Sequence, residues 1–315
     1  MKPFKAPGPD GMHASFYQRN WNIVKKVVVR EVRSIFSFGV MPNHLNQTLI
    51  TLIPKCTDAN YLSSFRPISL CNTIYKIVTK IIIQRLRPLL DKLVSPLQTT
   101  FVSGRRGLDN MIIVQELIHT MNTKKGNQGY MAIKIDLEKA YNRLEWHFIR
   151  DVLNLYNFPL NTIKLIMSCI SGSFISFLLN GGKLDPFLPS RGIRQGNLLS
   201  PYLFILCMKV LVFLIADQCS SHRWDPLRSS QSGPSFSHLF FADDLVLFAK
   251  ADLKSCHSIW DTLDTFCELS GQKVNMTKSK VFYSPNVSDE SRESLCNVLG
   301  FRSTPNLGKY LGFPI

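Results

Sequence analysis

The stretch HLFFADDLVLFAK, His238 to Lys250, constrains this chain more than any other. Two adjacent acids stand between apolar runs at 238–241 and 245–248. Burying two ionised carboxylates without partners costs far more than a strand gains by packing. A cation, solvent at a hairpin tip, or protonation must therefore neutralise them. Neighbouring residues of a strand point to opposite faces, so Asp243 and Asp244 converge only where the chain turns. Two readings follow: a divalent-cation site at a hairpin tip, or an ordinary solvated Asp-Asp turn, since Asp is a common turn residue.

A second carboxylate lies upstream. Met131, Ile133 and Ile135 alternate with Ala132, Lys134 and Asp136, a period-two strand pattern that ends on an acid. Beside the 238–248 run, Asp136 would complete an oxygen cage of the kind that hard cations such as Mg²⁺ take. Two ions so held would stabilise both the attacking and the leaving oxygen of an in-line phosphoryl transfer. Alone, Asp136 reads as the cap of a following helix.

Thirty-seven Lys and Arg against 22 Asp and Glu give a formal net charge of +15. That surplus points to a polyanionic partner, nucleic acid first. Lys55 follows the apolar run 49–54 and Arg66 precedes Pro67. Arg offers phosphate a bidentate fork and Lys a point charge, although surface solubility explains either one alone. In SRGIRQGNLLSP, 190–201, Gly192 and Gly196 leave room for a ligand backbone, unless this is a plain loop ahead of a helix.

The eight cysteines form no CxxC pair, and no His stands at metal-ligand spacing, which reads as reduced intracellular thiols. The apolar run Tyr202 to Ala216 is interrupted by Lys209 and falls short of the ~20 residues of a membrane span. A core helix is expected there, and no membrane. Charged residues make up 19% and apolar residues 45%, which excludes a disordered tail. At ~150 residues per domain the chain divides in about two, with KKGNQGY, 124–130, the best boundary. The spacing predicts helices over 253–270 with Gly271 as its stop, and over 111–121 with Asp109 as its cap. Cys219 to Ser237 reads as loop, and Pro88 as the end or a kink of the helix before it. Helices and strands mix without steady alternation, which favours α+β.

Nine blocks taken in order carry a resemblance: KAPGPDG, LIPK, FRPISLCNTIYKI, SPLQTTFVSGR, IKIDLEKAY, SRGIRQGNLLSPYLFILC, HLFFADDLVLF, SGQKVNMTKSK and KYLGFPI. From Lys5 to Ile315 the chain resembles the reverse transcriptase of plant LINE-type non-LTR retrotransposons. The resemblance implies a right-hand polymerase fold. Fingers would occupy 1–127, and the palm 128–315, with interleaved fingers elements, a mostly antiparallel sheet and the primer grip at its end. It implies RNA-directed DNA polymerase activity: nucleotidyl transfer from dNTPs onto a DNA primer along an RNA template, with two Mg²⁺ ions or Mn²⁺ in their place. Asp136 and Asp243 would be the main metal ligands and Asp244 a neighbouring ligand. Lys278 would protonate the pyrophosphate leaving group. Tyr141 would be the bulky gate that clashes with a ribose 2′-hydroxyl. Lys55 and Arg66 would grip the triphosphate, Gln195 and Gly196 would pack on nucleotide and template, and Tyr310, Leu311 and Gly312 would hold the primer end.

Asn142 and the pair Asn197–Leu198 depart from the family pattern, which has Asp after Ala-Tyr and Asp-Pro in the loop; Thr99 and Thr100 replace a smaller pair. No predicted metal ligand is lost, but the departures bear on how nearby segments are held. Such elements carry an upstream endonuclease and a thumb downstream, and neither is expected here; the resemblance therefore also implies a truncated, decaying copy. The rival readings are an inactive nucleic-acid-binding remnant, an RNA-templated RNA polymerase, which Tyr141 argues against, and a purely structural interaction protein. The element's life cycle implies an intracellular, nuclear place of action.

Overall fold

A computed structural model describes residues 1–230 and 233–315. From the N-terminus, α1 (Ala14–Arg19) and α2 (Trp21–Phe38) precede β1 (Thr48–Pro54), β2 (Phe65–Cys71) and α3 (Thr73–Leu93). Helix α4 (Gly107–Thr123) leads into β3 (Tyr130–Asp136), the single turn α5 (Ala140–Arg143), α6 (Trp146–Leu155) and α7 (Leu160–Ser171). The hairpin β4 (Ile175–Leu179) and β5 (Gly182–Lys183) comes before α8 (Ser200–Ser220) and the short strands β6 (Leu227–Arg228) and β7 (Ser235–Phe236). Then follow β8 (His238–Phe241), β9 (Asp244–Lys250), α9 (Leu253–Ser270), β10 (Lys280–Tyr283), α10 (Asp289–Leu299), β11 (Arg302–Ser303), β12 (Lys309–Tyr310) and β13 (Phe313–Pro314). This mixture of helix and sheet is the α+β class expected.

The chain forms two compact units, each built from two segments: Met1–Pro88 with Leu144–Leu203, and Leu89–Arg143 with Phe204–Ile315. The first holds a four-stranded sheet in the order β2-β1-β4-β5. In it β1 pairs antiparallel with β2 and parallel with β4.

The second unit holds a five-stranded sheet in the order β11-β10-β3-β9-β8. Of its ladders only β10 with β11 is parallel. Alternation divides the central strand cleanly. Tyr130 and Ala132 join Val246, Phe248 and Phe282 on one face, packed against Val114, Leu117 and Met121 of α4 and against Leu307 and Tyr310. Met131, Ile133 and Ile135 point the other way and are equally buried. There the Cys256 thiol of α9 contacts the Met131 sulfur at 3.7 Å. Each fully buried aliphatic or aromatic side chain contributes about 1.5–3 kcal/mol, so Phe248→Ala in this central layer is the kind of change that costs about 3–5 kcal/mol.

Several expectations meet corrections. Helix α4 starts at Gly107 with Arg106 as its cap, and Asp109 lies in the first turn, where its charge complements the helix dipole rather than capping it. Helix α3 runs through Pro88 to Leu93, so Pro88 is not its end. Part of the 219–237 stretch is ordered structure: α8 extends to Ser220 and β6 pairs with β7, while positions 231 and 232 lie outside the described residues. Helix α8 is long and apolar enough to cross a membrane by length and composition. Its residues 202–208, Leu211 and Ile215 are instead buried in protein. Helix α9 ends as expected, with Gly271 in the left-handed region at φ 73° and its N–H on the Cys267 carbonyl.

Candidate active site

The antiparallel register of β3 on β9 sets Asp136 opposite Asp244. Directly opposed residues share a face, so both carboxylates leave the sheet on the same side. Strand β3 ends at Asp136 and α5 begins only at Ala140, so Asp136 is not a helix cap. Strands β8 and β9 are joined by a turn at Ala242 and Asp243, the turn that the adjacent acids require. Ala242 takes the left-handed conformation at φ 54°, unusual for a residue with a Cβ. Its N–H is held by the Gln98 side-chain oxygen at 3.1 Å. Asp243 is thereby exposed at the tip, and Asp244 is half-buried at the start of β9.

These acids feel one another. Burial, then the charges of Asp243 and Asp136, raise the Asp244 carboxyl above its ordinary value, and Lys134 opposes them. Lys134 lies two residues before Asp136 on the same face, and its ammonium also donates to the Lys309 carbonyl. Tyr141 stacks on Phe204 with ring centroids 4.8 Å apart and planes 12° from parallel. Burial, and then the negative charge of Asp243, hold its hydroxyl proton more tightly than usual. The aromatic ring is thus fixed within the field of the hairpin-tip acid.

The segment after α9 is laced onto the end of β3. The Glu138 N–H donates to the Lys273 carbonyl at 2.8 Å and the Asn275 N–H to the Asp136 carbonyl at 2.8 Å. Asp136 returns its own N–H to the Ser279 hydroxyl at 3.1 Å. Gln272, buried, donates to the Ala140 carbonyl at 2.8 Å. Exposed Lys278 is carried on this strap, its N–H on the Asn275 side chain at 3.2 Å. Reading the block for Lys278 alone misses this bracing role. In the sequence Gln272, Asn275 and Ser279 stand among Lys273, Thr277, Lys278 and Lys280, and nothing local sets them apart as bracing residues.

Tyr310 is fully enclosed in the core of its unit. Burial is the larger cause of its raised hydroxyl, with Asp244 adding to it and Asn110 working against it. Leu311 at φ 54° and Gly312 at φ 87° make the turn between β12 and β13. Of the three expected primer-grip residues, Tyr310 faces inward and the other two form the turn.

The remaining expected residues lie in the first unit. The β1–β2 register pairs Ile53 with Arg66, and Lys55 follows β1 directly. The Lys55 ammonium donates to the Ser63 carbonyl at 2.7 Å, and Arg66 is exposed. The Gln195 carbonyl accepts the Ser69 N–H at 2.8 Å, which lays the 192–197 loop on β2. Gly196 is required there: its φ is 90°, and a Cβ would come within 3.2 Å of both the Ile68 side chain and the Ser69 carbonyl.

Among the described residues, no group of three or more His, Cys, Asp or Glu side chains stands together as a complete metal-ligand set. In kind, however, the acids of the second unit fit a hard divalent cation. The donors are carboxylate oxygens, and the mutual repulsion registered at Asp244 is what a cation would relieve. Asp136, Asp243 and Asp244 are the residues that could hold it.

Comparison with known proteins bears on this arrangement. Residues 53–315 match the family described as Reverse transcriptase (RNA-dependent DNA polymerase). The transposon TX1 uncharacterized 149 kDa protein of Xenopus laevis is 26% identical over 275 residues, 87% of this chain and 20% of that protein. The retrovirus-related Pol polyprotein from the type-2 retrotransposable element R2DM of Drosophila melanogaster is 28% identical over 273 residues, 87% of this chain and 24% of that protein. The chain thus spans about a fifth to a quarter of the length of these relatives. Among solved structures, apo telomerase from Candida tropicalis, truncated from its C-terminal domain, aligns with a TM-score of 0.54 at 15% identity, covering 78% of this chain and 52% of that one. That likeness concerns the fold alone. With the family match running through β3, the 242–243 turn and the strap, the chain belongs to the reverse transcriptase (RNA-dependent DNA polymerase) family.

Proposed function

We propose that this chain performs RNA-templated DNA synthesis for a non-LTR retrotransposon of the plant LINE type. The observation that carries the reading is the opposition of Asp136 and Asp244 across two paired strands, with Asp243 at the adjoining tip, inside a reverse transcriptase family match. The nine ordered blocks support the narrower LINE assignment. Reverse transcriptases in general depend on a divalent metal, and here Asp136, Asp243 and Asp244 would hold two Mg²⁺ ions, or Mn²⁺. When bound, such ions supply charge at the attacking and leaving oxygens. The chain's own residues do the rest. Tyr141, braced by Phe204, excludes a ribose 2′-hydroxyl and so selects deoxynucleotides. Lys55 and Arg66 bind the triphosphate as point charge and fork. Gln195 and Gly196 bring loop backbone against nucleotide and template. Lys278 gives its proton to the departing pyrophosphate, a general-acid role open to a positioned cation. Leu311 and Gly312, with Tyr310 anchoring them from within, meet the primer end. The +15 net charge suits binding of RNA template and DNA primer. Its place of action would be the nucleus.

Primer extension on homopolymer RNA tests the reading. Extension that requires Mg²⁺ or Mn²⁺, disappears in Asp243→Ala, and admits ribonucleotides in Tyr141→Ala is the expected result. Salt-dependent RNA binding without extension, unchanged in Asp136→Ala, would instead identify an inactive binding remnant.

A further inference from the structure

Arg194 is buried, with no counter-ion among the described residues. It is 7% exposed, and among the described residues no acid pairs with it. Its guanidinium donates to the Asn46 side-chain oxygen at 3.0 Å, to the Tyr75 hydroxyl at 2.6 Å and to the Thr48 hydroxyl at 2.5 Å. It also donates to the Cys169 and Asn46 carbonyls and lies over the Tyr75 ring, 4.6 Å from its centroid. Its Nε is enclosed and finds no acceptor. Arginine cannot shed its charge at any ordinary pH, and an enclosed cation with only neutral acceptors carries an unrelieved desolvation cost. A hydrophobic residue would fill this space at less cost, unless the charge and the fork are needed.

What the fork reaches suggests the need. Asn46 and Thr48 lead into and open β1, Tyr75 is on α3 and Cys169 on α7. Arg194 therefore ties three elements of the first unit to one point on the 192–197 loop. The next residue, Gln195, makes the carbonyl bond to the Ser69 N–H, and Gly196 follows in tight approach to β2. Asn197 closes the cluster: its amide donates to the same Tyr75 hydroxyl at 2.8 Å, and its oxygen accepts the Leu199 N–H at 3.2 Å. The Tyr75 hydroxyl, accepting from both, donates to the Cys169 carbonyl at 3.2 Å. The Arg194 and Asn197 side chains meet only through the Tyr75 hydroxyl, so a carboxylate of the same shape at 197 would stand one hydroxyl away from the guanidinium.

We propose that Arg194 is the positioning residue that seats Gln195 and Gly196 on β2, and that Asn197 leaves this clamp electrostatically unbalanced. The proposal rests on the assignment of Gln195 and Gly196 to nucleotide and template. Arg194 touches neither reacting atoms nor substrate; it acts through the loop.

Hydrogen exchange of the Ser69 amide reports the seat directly, whether or not the chain synthesises DNA. Arg194→Lys keeps the charge but loses the fork. It should speed Ser69 exchange by about tenfold or more, as loss of a charge-assisted bond implies, while Val152 within α6 stays within about twofold. Asn197→Asp loses the amide donor, so the Tyr75 hydroxyl turns its proton from the Cys169 carbonyl to the new carboxylate, a charge-assisted bond one hydroxyl from the guanidinium that should slow Ser69 exchange by about threefold. In primer extension Arg194→Lys should raise the KM for dNTP and leave kcat nearly unchanged. Ser69 and Val152 accelerating together would mean general scaffolding and overturn the proposal, as would no change at Ser69. Faster Ser69 exchange in Asn197→Asp would overturn the claim of imbalance. If the unsubstituted protein extends no primer while the exchange results hold, the polymerase reading fails and the clamp stands.

Discussion

At the ends of β3 and β9, three acids share one neighbourhood, with Lys134 opposing their repulsion at Asp244. Under the 192–197 loop, a single guanidinium meets hydroxyls, an amide and carbonyls but, among the described residues, no acid. Both regions hold charge against its electrostatic interest, in opposite ways. The acids are exposed or half-buried and keep their strain available to a ligand. The arginine is sealed in and spends its donors on the protein itself. Removing charge from the first region should therefore cost activity and spare stability, and removing it from the second should cost stability first.

Four measurements can break or sharpen that contrast. Asp136→Asn should lower primer-extension kcat on the order of 10³-fold, the scale for losing preorganised electrostatic stabilisation. Its thermal midpoint, followed by circular dichroism, should be unchanged or slightly raised; a large drop would put the acids in the structural class with Arg194. Arg194→Gln should lose about 3 kcal/mol in urea unfolding, as several buried acceptors give up a charged donor. An unchanged midpoint would erase the contrast from the other side.

His238 provides an intermediate case, buried like Arg194 but able to discard its charge. Burial first, and then the positive charge of Lys209, lower its pKa from 6.5 to about 4. Its ring contacts Phe240, and the Ser237 hydroxyl lies 3.0 Å from Nδ1. Below pH 6.5 the unfolded chain takes up a proton that the folded imidazole refuses until about pH 4. Its contribution is therefore full above 6.5 and is lost as pH falls through that window, by up to about 3 kcal/mol. His238→Phe should flatten this part of the stability–pH profile; an unchanged slope would refute it. The smallest effect belongs to Asn197→Asp, which should raise unfolding stability by about 1 kcal/mol at neutral pH, as a charge-assisted bond replaces a neutral one.

The parts legible in the sequence are those governed by local physics. Adjacent acids in an apolar run force the turn at Ala242 and Asp243, alternation marks β3, and Gly271 marks the end of α9. What was hidden depends on partners distant along the chain. The strap from Gln272 to Ser279 is defined by backbone bonds to β3 that no local pattern encodes. Arg194, in a polar loop with two glycines, carries no mark of burial; only its acceptors on three other segments reveal it. The start of α4 leaves no signature in the sequence, because Arg106 caps it without a side-chain bond.

The central place of β3 has a consequence for biosynthesis. Both of its neighbours, β9 and β10, come later in the chain, and the Tyr130 N–H waits for the Ser284 hydroxyl, 154 residues on. While the ribosome is still working, Met131, Ile133 and Ile135 have emerged with no sheet to join. Nonlocal pairing of this kind folds slowly and leaves sticky intermediates. A nascent chain arrested before β10 would display an unpaired, oily strand edge, so protection by chaperones during translation matters more to this molecule than its final stability would suggest.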